Sequence, residues 1–168
     1  YERVDAVMLS DETAMGDFPV QSVETMARIA REIERDETHF KPMIDMDMVS
    51  VNHEITAQLA RSAVRASTNL PIKYVVLDTK TGRTGRYLAA FRGRKTVMAV
   101  CYQLHAQRIL ALSYGVVPIL RNQELSDRYH FLVDALEFLD QYRKLDDGDL
   151  MAIVGGSFGP DGGASYVE

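Results

Sequence analysis

The chain has 168 residues, a net charge of -5, 46% hydrophobic and 26% charged residues. That is the size of one domain with an appendage, and too apolar for a disordered chain. The acidic balance argues against a broad nucleic-acid partner, and no apolar run nears the ~20 residues that cross a bilayer, so neither nucleic acid nor membrane is an expected partner.

Residues Val4 to Leu9 are apolar apart from Asp5 and lack helical period, which predicts a strand buried on both faces. After "SDETAMGDF", Pro19 suits the first turn of a helix, and Val23, Met26, Ala27, Ala30 and Ile33 recur at three- and four-residue steps. The periodicity then fails around Pro42, and a linker is expected over 41–50. A second helix is expected from an Asn52 cap to Ser67, with Ile55, Leu59, Ala63 and Val64 on one face.

Beyond "TNLP" the period changes. "YVVL", "TVMAVC", "VVPIL" and "LMAIVGG" alternate with helices expected over about 84–91, 104–114 and a long one capped by Ser126 or Asp127. In that long helix Tyr129, Leu132, Val133, Leu136 and Leu139 form the stripe, and Gly148 marks the turn that follows. Short apolar strands between amphipathic helices imply an α/β fold: a three-layer open sheet, mostly parallel with an antiparallel edge strand, and helices on both faces.

Cys101, the only cysteine, ends "TVMAVC" and reads as a small buried hydrophobe. It excludes an internal disulfide, and no secretory signal stands ahead of the first element, so a reducing cytoplasm is the expected compartment. The opening on Tyr1 and a strand-like run reads as a piece of something larger.

In open parallel sheets ligands bind beyond the carboxyl ends of the strands, which directs attention to the loops after Leu77, Cys101, Leu120 and Val154. After Leu77, the stretch Thr79, Lys80, Thr81, Gly82, Arg83 and Thr84 offers hydroxyls, cations and accessible backbone N–H groups at a helix N-terminus, a combination that suits a phosphate. A threonine-rich turn that only caps its helix fits the same residues. After Val154, the glycine-rich run "GGSFGPDGG" reads either as a loop that folds over a ligand or as a slack connection.

The other candidates carry less. His39, His53, His105 and His130 are dispersed without ligand spacing, so no metal site is expected. Met43, Met46 and Met48 fit a linker tucked against its own protein, and Asp11, Glu12 and Asp17 read as solvated loop acids rather than a cation site. No Ser-His-Asp arrangement is legible.

"DAVMLSDETAMGDFPVQSVETMARIAREIE" resembles the last strand, loop and helix of the catalytic barrel of the pyruvate kinase family, whose pattern reads much like MLSGETAKGxYP. "ITAQLARSAV", "TGRTGRYLAAFR" and "GVVPIL" follow in the order of that family's C-terminal domain. The resemblance implies a TIM-barrel remnant over 1–40, a linker over 41–50 and a regulatory domain over 51–168. It implies a parent enzyme that transfers phosphoryl from phosphoenolpyruvate to ADP with Mg2+ and K+, as a tetramer. The fragment itself is expected to bind neither ion and to be inactive without the missing catalytic barrel.

By the same resemblance Ser10, Glu12 and Thr13 lie in the loop at the barrel's catalytic end. Thr79, Lys80, Thr81, Gly82, Arg83 and Thr84 match the effector-phosphate loop, and Ser157, Phe158, Gly159, Gly162 and Gly163 match the loop that closes over the sugar. Asp11 replaces the usual glycine and Met15 the usual lysine, which removes a nucleotide-facing charge. Where family members hold a second phosphate with arginine, this chain has Phe131 or Leu132, with Arg128 about one helical turn away. A sugar monophosphate or AMP is therefore expected ahead of fructose 1,6-bisphosphate.

Overall fold

The computed structural model describes residues 4–36, 42–43, 54–121, 130–141, 144–156 and 163–168. Contacts divide the chain into two compact units, 1–41 and 42–168.

The first unit carries α1 (Asp11–Ala14) and α2 (Pro19–Arg35). Pro19 opens α2 where its missing N–H costs nothing, and Ser22 donates both its N–H and its hydroxyl back to the Phe18 carbonyl, at 3.0 and 2.9 Å. The apolar stripe of α2 is present but no residue of the helix is buried. The strand expected over Val4 to Leu9 is corrected: the segment forms no ladder among the described residues, and Val4, Val7 and Met8 are exposed. A strand buried on both faces needs neighbours to take its N–H and C=O groups, and none is supplied here.

The second unit is a five-stranded sheet in the order β3-β2-β1-β4-β5. Its strands are β1 (Ile72–Thr79), β2 (Thr96–Cys101), β3 (Val116–Leu120), β4 (Leu150–Gly155) and β5 (Tyr166–Val167). The first four are mutually parallel, while β5 runs antiparallel along β4, with Val154 opposite Val167. The helices are α3 (Ile55–Asn69), α4 (Arg83–Ala90), α5 (Leu104–Leu110) and α6 (His130–Gln141).

Alternation along the strands sorts the core into two layers. Val75 and Leu77 of β1, with Val97, Ala99 and Cys101 of β2, face α3, α4 and α5. Val76, Met98 and Val100 face Phe131, Ala135 and Leu139 of α6. Helices on both faces of a mostly parallel sheet make the three-layer architecture expected from the alternating pattern. Cys101 is fully buried, and burial pushes its thiol up to about 12, which leaves it an inert hydrophobe at neutral pH.

Boundaries differ from the expectations at three helices. α3 begins after Glu54 rather than at Asn52, which lies outside the described residues, as do Ser126, Asp127 and Arg128. α5 stops at Leu110 rather than near Tyr114, because a turn through Gly115, at φ 68, feeds β3. α4 spans Arg83–Ala90 rather than 84–91, and Arg92, at φ 53 two residues past its end, places its buried side chain 4.7 Å from the Tyr114 ring centre.

Candidate functional site

β1 → α4 → β2 → α5 → β3 proceeds across one half of the sheet, and the chain then returns through α6 to place β4 on the other side of β1. The order therefore reverses between β1 and β4, and the crevice at the carboxyl ends of these strands is the switch point at which open α/β sheets take ligands. The two loops singled out in the sequence leave from this crevice: one follows Thr79, the other follows Gly155.

The first loop is held from within. Gly82 adopts φ 80, a left-handed turn that a side chain would strain, and its N–H donates to the Thr79 hydroxyl at 2.9 Å. The Gly82 carbonyl accepts from Arg86 N–H at 3.0 Å, which starts α4. Thr79 and Thr84 are buried, so their hydroxyls serve the turn and the core. Thr81 is exposed and Lys80 and Arg83 are partly exposed. The six residues thus separate into an inner set, Thr79, Gly82 and Thr84, and an outward set, Lys80, Thr81 and Arg83. Among the described residues no side chain caps α4, which leaves the N–H groups of its first turn without a side-chain partner at the positive end of the helix.

Of the second loop, Ser157, Phe158, Gly159 and Gly162 lie outside the described residues; Gly163 lies within them. Gly163 sits against α3, where a Cβ would collide with the Thr56 hydroxyl. At the near end, Gly156 has φ 115 and a Cβ there would strike Ser165. Both flanks of the loop are thus close-packed points that only glycine fits.

The sequence reading missed one residue of this region. Glu54, at the start of α3, forms an ion pair with Arg83 and accepts a hydrogen bond from the Tyr87 hydroxyl on α4. The bond to Glu54, reinforced by burial, holds the Tyr87 hydroxyl above its ordinary value. The available signal was an acid at a helix start, which ordinarily means only a favourable helix dipole.

Ser10, Glu12 and Thr13 fall in the first unit. The Ser10 carbonyl accepts from the Thr13 N–H and hydroxyl, both at 3.1 Å, and Ser10 N–H donates to the Glu12 carboxylate at 3.0 Å. Backbone hydrogen bonds, chiefly the one from Ser10 N–H, hold the Glu12 carboxyl below its usual range. No group of metal-ligating side chains gathers among the described residues.

The family model "Pyruvate kinase, alpha/beta domain" matches residues 57–167. A pyruvate kinase from Methylorubrum extorquens is 34% identical over 171 aligned residues, covering 100% of this chain and 35% of the relative. One from Borreliella burgdorferi is 30% identical, covering 91% of this chain and 32% of the relative. The solved structure of a pyruvate kinase from Cryptosporidium parvum matches 96% of this chain and 32% of its own, with a TM-score of 0.81 at 25% identity. This chain spans about a third of the length of these curated relatives. A family model matched over residues 57–167, together with these relatives and a like fold, establishes that the chain belongs to the pyruvate kinase family.

Proposed function

We propose that this chain is the regulatory portion of a pyruvate kinase, and that its β1–α4 turn binds the phosphate of a small phosphorylated effector. The observation that carries this reading is the strand order, which sets the turn after Thr79 beside the loop after Gly155 at the switch point. A phosphate there would accept hydrogen bonds from the Thr81 hydroxyl and the first-turn N–H groups of α4, with Lys80 and Arg83 supplying positive charge. The glycine-rich loop, Ser157, Phe158, Gly159, Gly162 and Gly163, would close over the remainder of the effector. A sugar monophosphate or AMP fits better than fructose 1,6-bisphosphate, since no arginine stands at Phe131 or Leu132.

In the whole protein the reaction would be phosphoryl transfer from phosphoenolpyruvate to ADP, giving pyruvate and ATP in a cytoplasmic, tetrameric enzyme. Effector binding would shift the balance between arrangements of domains and subunits in proportion to its different affinity for each. The Mg2+ and K+ implied by such a reaction do not fit the described residues: Glu12, an acid of the barrel-end loop, is engaged with Ser10 N–H, and no group of three or more metal-ligating side chains gathers among the described residues. The unburied apolar face of α2 fits a helix that packs in a barrel supplied by the rest of the protein. This chain alone is accordingly inactive, and turnover above background in a coupled assay with phosphoenolpyruvate, ADP and magnesium would refute that.

A structural role with a vestigial anion loop is the second reading, and it is favoured by the engagement of Arg83 with Glu54. Calorimetry with glucose 6-phosphate, AMP and fructose 1,6-bisphosphate separates the two. Binding that weakens at least about tenfold in Thr81→Ala or Lys80→Ala, the loss of one charge-assisted bond, supports the effector site. Flat titrations with all three ligands support the structural module.

A further inference from the structure

Resting on the phosphate reading of the β1–α4 turn, we propose that Glu54 is an internal competitor for that anion site. Its carboxylate occupies Arg83 until an anionic ligand displaces it, and so raises the ligand concentration at which the site fills. Three features lead here. Glu54 stands at the N-cap position of α3 in an extended conformation, yet its side chain makes no capping bond to its own helix. It reaches instead to α4, pairing with Arg83 and accepting from Tyr87. Arg83 is the first residue of α4 and Tyr87 lies one turn further on, so the carboxylate sits alongside the first turn of the helix whose backbone N–H groups would hold the phosphate.

A carboxylate bound by a guanidinium and a phenol beside a helix N-terminus is a fixed copy of the ligand's own chemistry. It lowers the affinity for every anion, because a ligand must take Arg83 from it and tolerate its charge nearby. Displacing the pair costs every ligand alike, and the remaining repulsion grows with the ligand's charge, so a phosphate monoester with close to two charges loses at least as much as a singly charged diester. Glu54 thereby sets the threshold for filling the site without any contact to the rest of the ligand. The Arg83 and Glu54 side chains are 42% and 24% exposed, so the competition is partly screened and the effect is a matter of several-fold rather than thousands.

The test uses the whole chain, with inorganic phosphate and dimethyl phosphate as probes of two and one charge, titrated by calorimetry. Glu54→Gln keeps the size and the acceptor for Tyr87 and removes the charge. It should tighten inorganic phosphate by about fivefold and dimethyl phosphate by a similar or smaller factor, because the repulsion removed grows with the ligand's charge. In an Arg83→Gln background the same change should have less than about half that effect, because the pair it acts through is gone. Should Glu54→Gln not fold, Tyr87→Phe frees the carboxylate more gently and should tighten phosphate by about twofold.

Unchanged or weaker phosphate binding in the folded variants, or an equal gain without Arg83, overturns the competitor role. If that happens while Lys80→Ala still abolishes binding, the phosphate site stands and only this inference falls. If phosphate binds neither the natural chain nor any variant, both fall.

Discussion

At the carboxyl edge of the sheet, β1 and β4 end in Asp78–Thr79 and Gly155–Gly156, next to Lys80, Arg83 and the start of α4. At the amino edge the same two strands begin at Ile72–Lys73 and Leu150, beside Asp146, Asp147 and Asp149 and the last turn of α6. That edge has a cavity of about 460 Å3, lined by Leu136, Glu137, Asp140, Asp149 and Met151 among others. Its acids surround the negative end of a helix, where an anion gains nothing, and the Lys73 ammonium lies 3.1 Å from Asp146 and 2.5 Å from Asp149. A parallel sheet therefore sorts charge: crossover helices start at one edge and finish at the other, so the edge that can hold an anion is fixed by strand direction before any side chain is chosen. This cavity is at the edge without that advantage, so a cavity alone is a poor guide to the ligand site here.

The most severe way to break the comparison is to remove what both edges share. Leu77 is fully buried at the centre of β1, and Leu77→Ala should cost about 2–5 kcal/mol in chemical denaturation, with both edges lost together. Next, Lys80→Ala should weaken phosphate binding by about tenfold or more, while Asp146→Asn at the opposite edge leaves it within about twofold. Comparable losses from the two variants would erase the distinction between edges. Gly82→Ala forces a side chain into φ 80 and should cost about 1 kcal/mol, together with weaker phosphate binding from a displaced turn.

The smallest effect is a pH dependence at the amino edge. Lys73 holds the Asp149 carboxyl below its usual range, aided by the N–H of Asp146. A depressed carboxyl contributes stability that is in place above the ordinary carboxylate range and disappears as pH falls through the lowered value. Acid unfolding of Lys73→Met should therefore show a flatter slope below about pH 4, the unperturbed carboxyl range, than that of the natural chain. Identical slopes would mean that the ion pairs seen at this edge carry no stability.

Much of this fold was legible because it rests on short-range pattern. Apolar strands such as "YVVL" and "TVMAVC" separated by helical periodicity dictate a parallel sheet, and their alternating residues do divide between the two core layers. The segment Val4 to Leu9 misled for a reason of the same kind: the pattern reports what a strand wants to bury, and the ladder depends on neighbours. In the candidate site, the outward group Lys80, Thr81 and Arg83 was visible from position after a strand. The inward roles of Thr79 and Thr84 depend on burial, which a hydroxyl in a sequence does not announce. Glu54 was invisible because its partners Arg83 and Tyr87 are about thirty residues away, and only the side-by-side packing of α3 and α4 brings them together.

The return of β4 to the far side of β1 also bears on how the domain is made. β1, β2 and β3 can assemble as successive β–α–β units with near neighbours, but β1 gains its second partner only when Leu150–Gly155 arrives, some seventy residues later in the chain. In the interval β1 has one unpaired edge, a template for pairing with another molecule. Newly made chains should therefore be most prone to aggregate in that window, and a charge placed at Leu150, which is exposed at the start of β4, offers protection at little expense to the finished core.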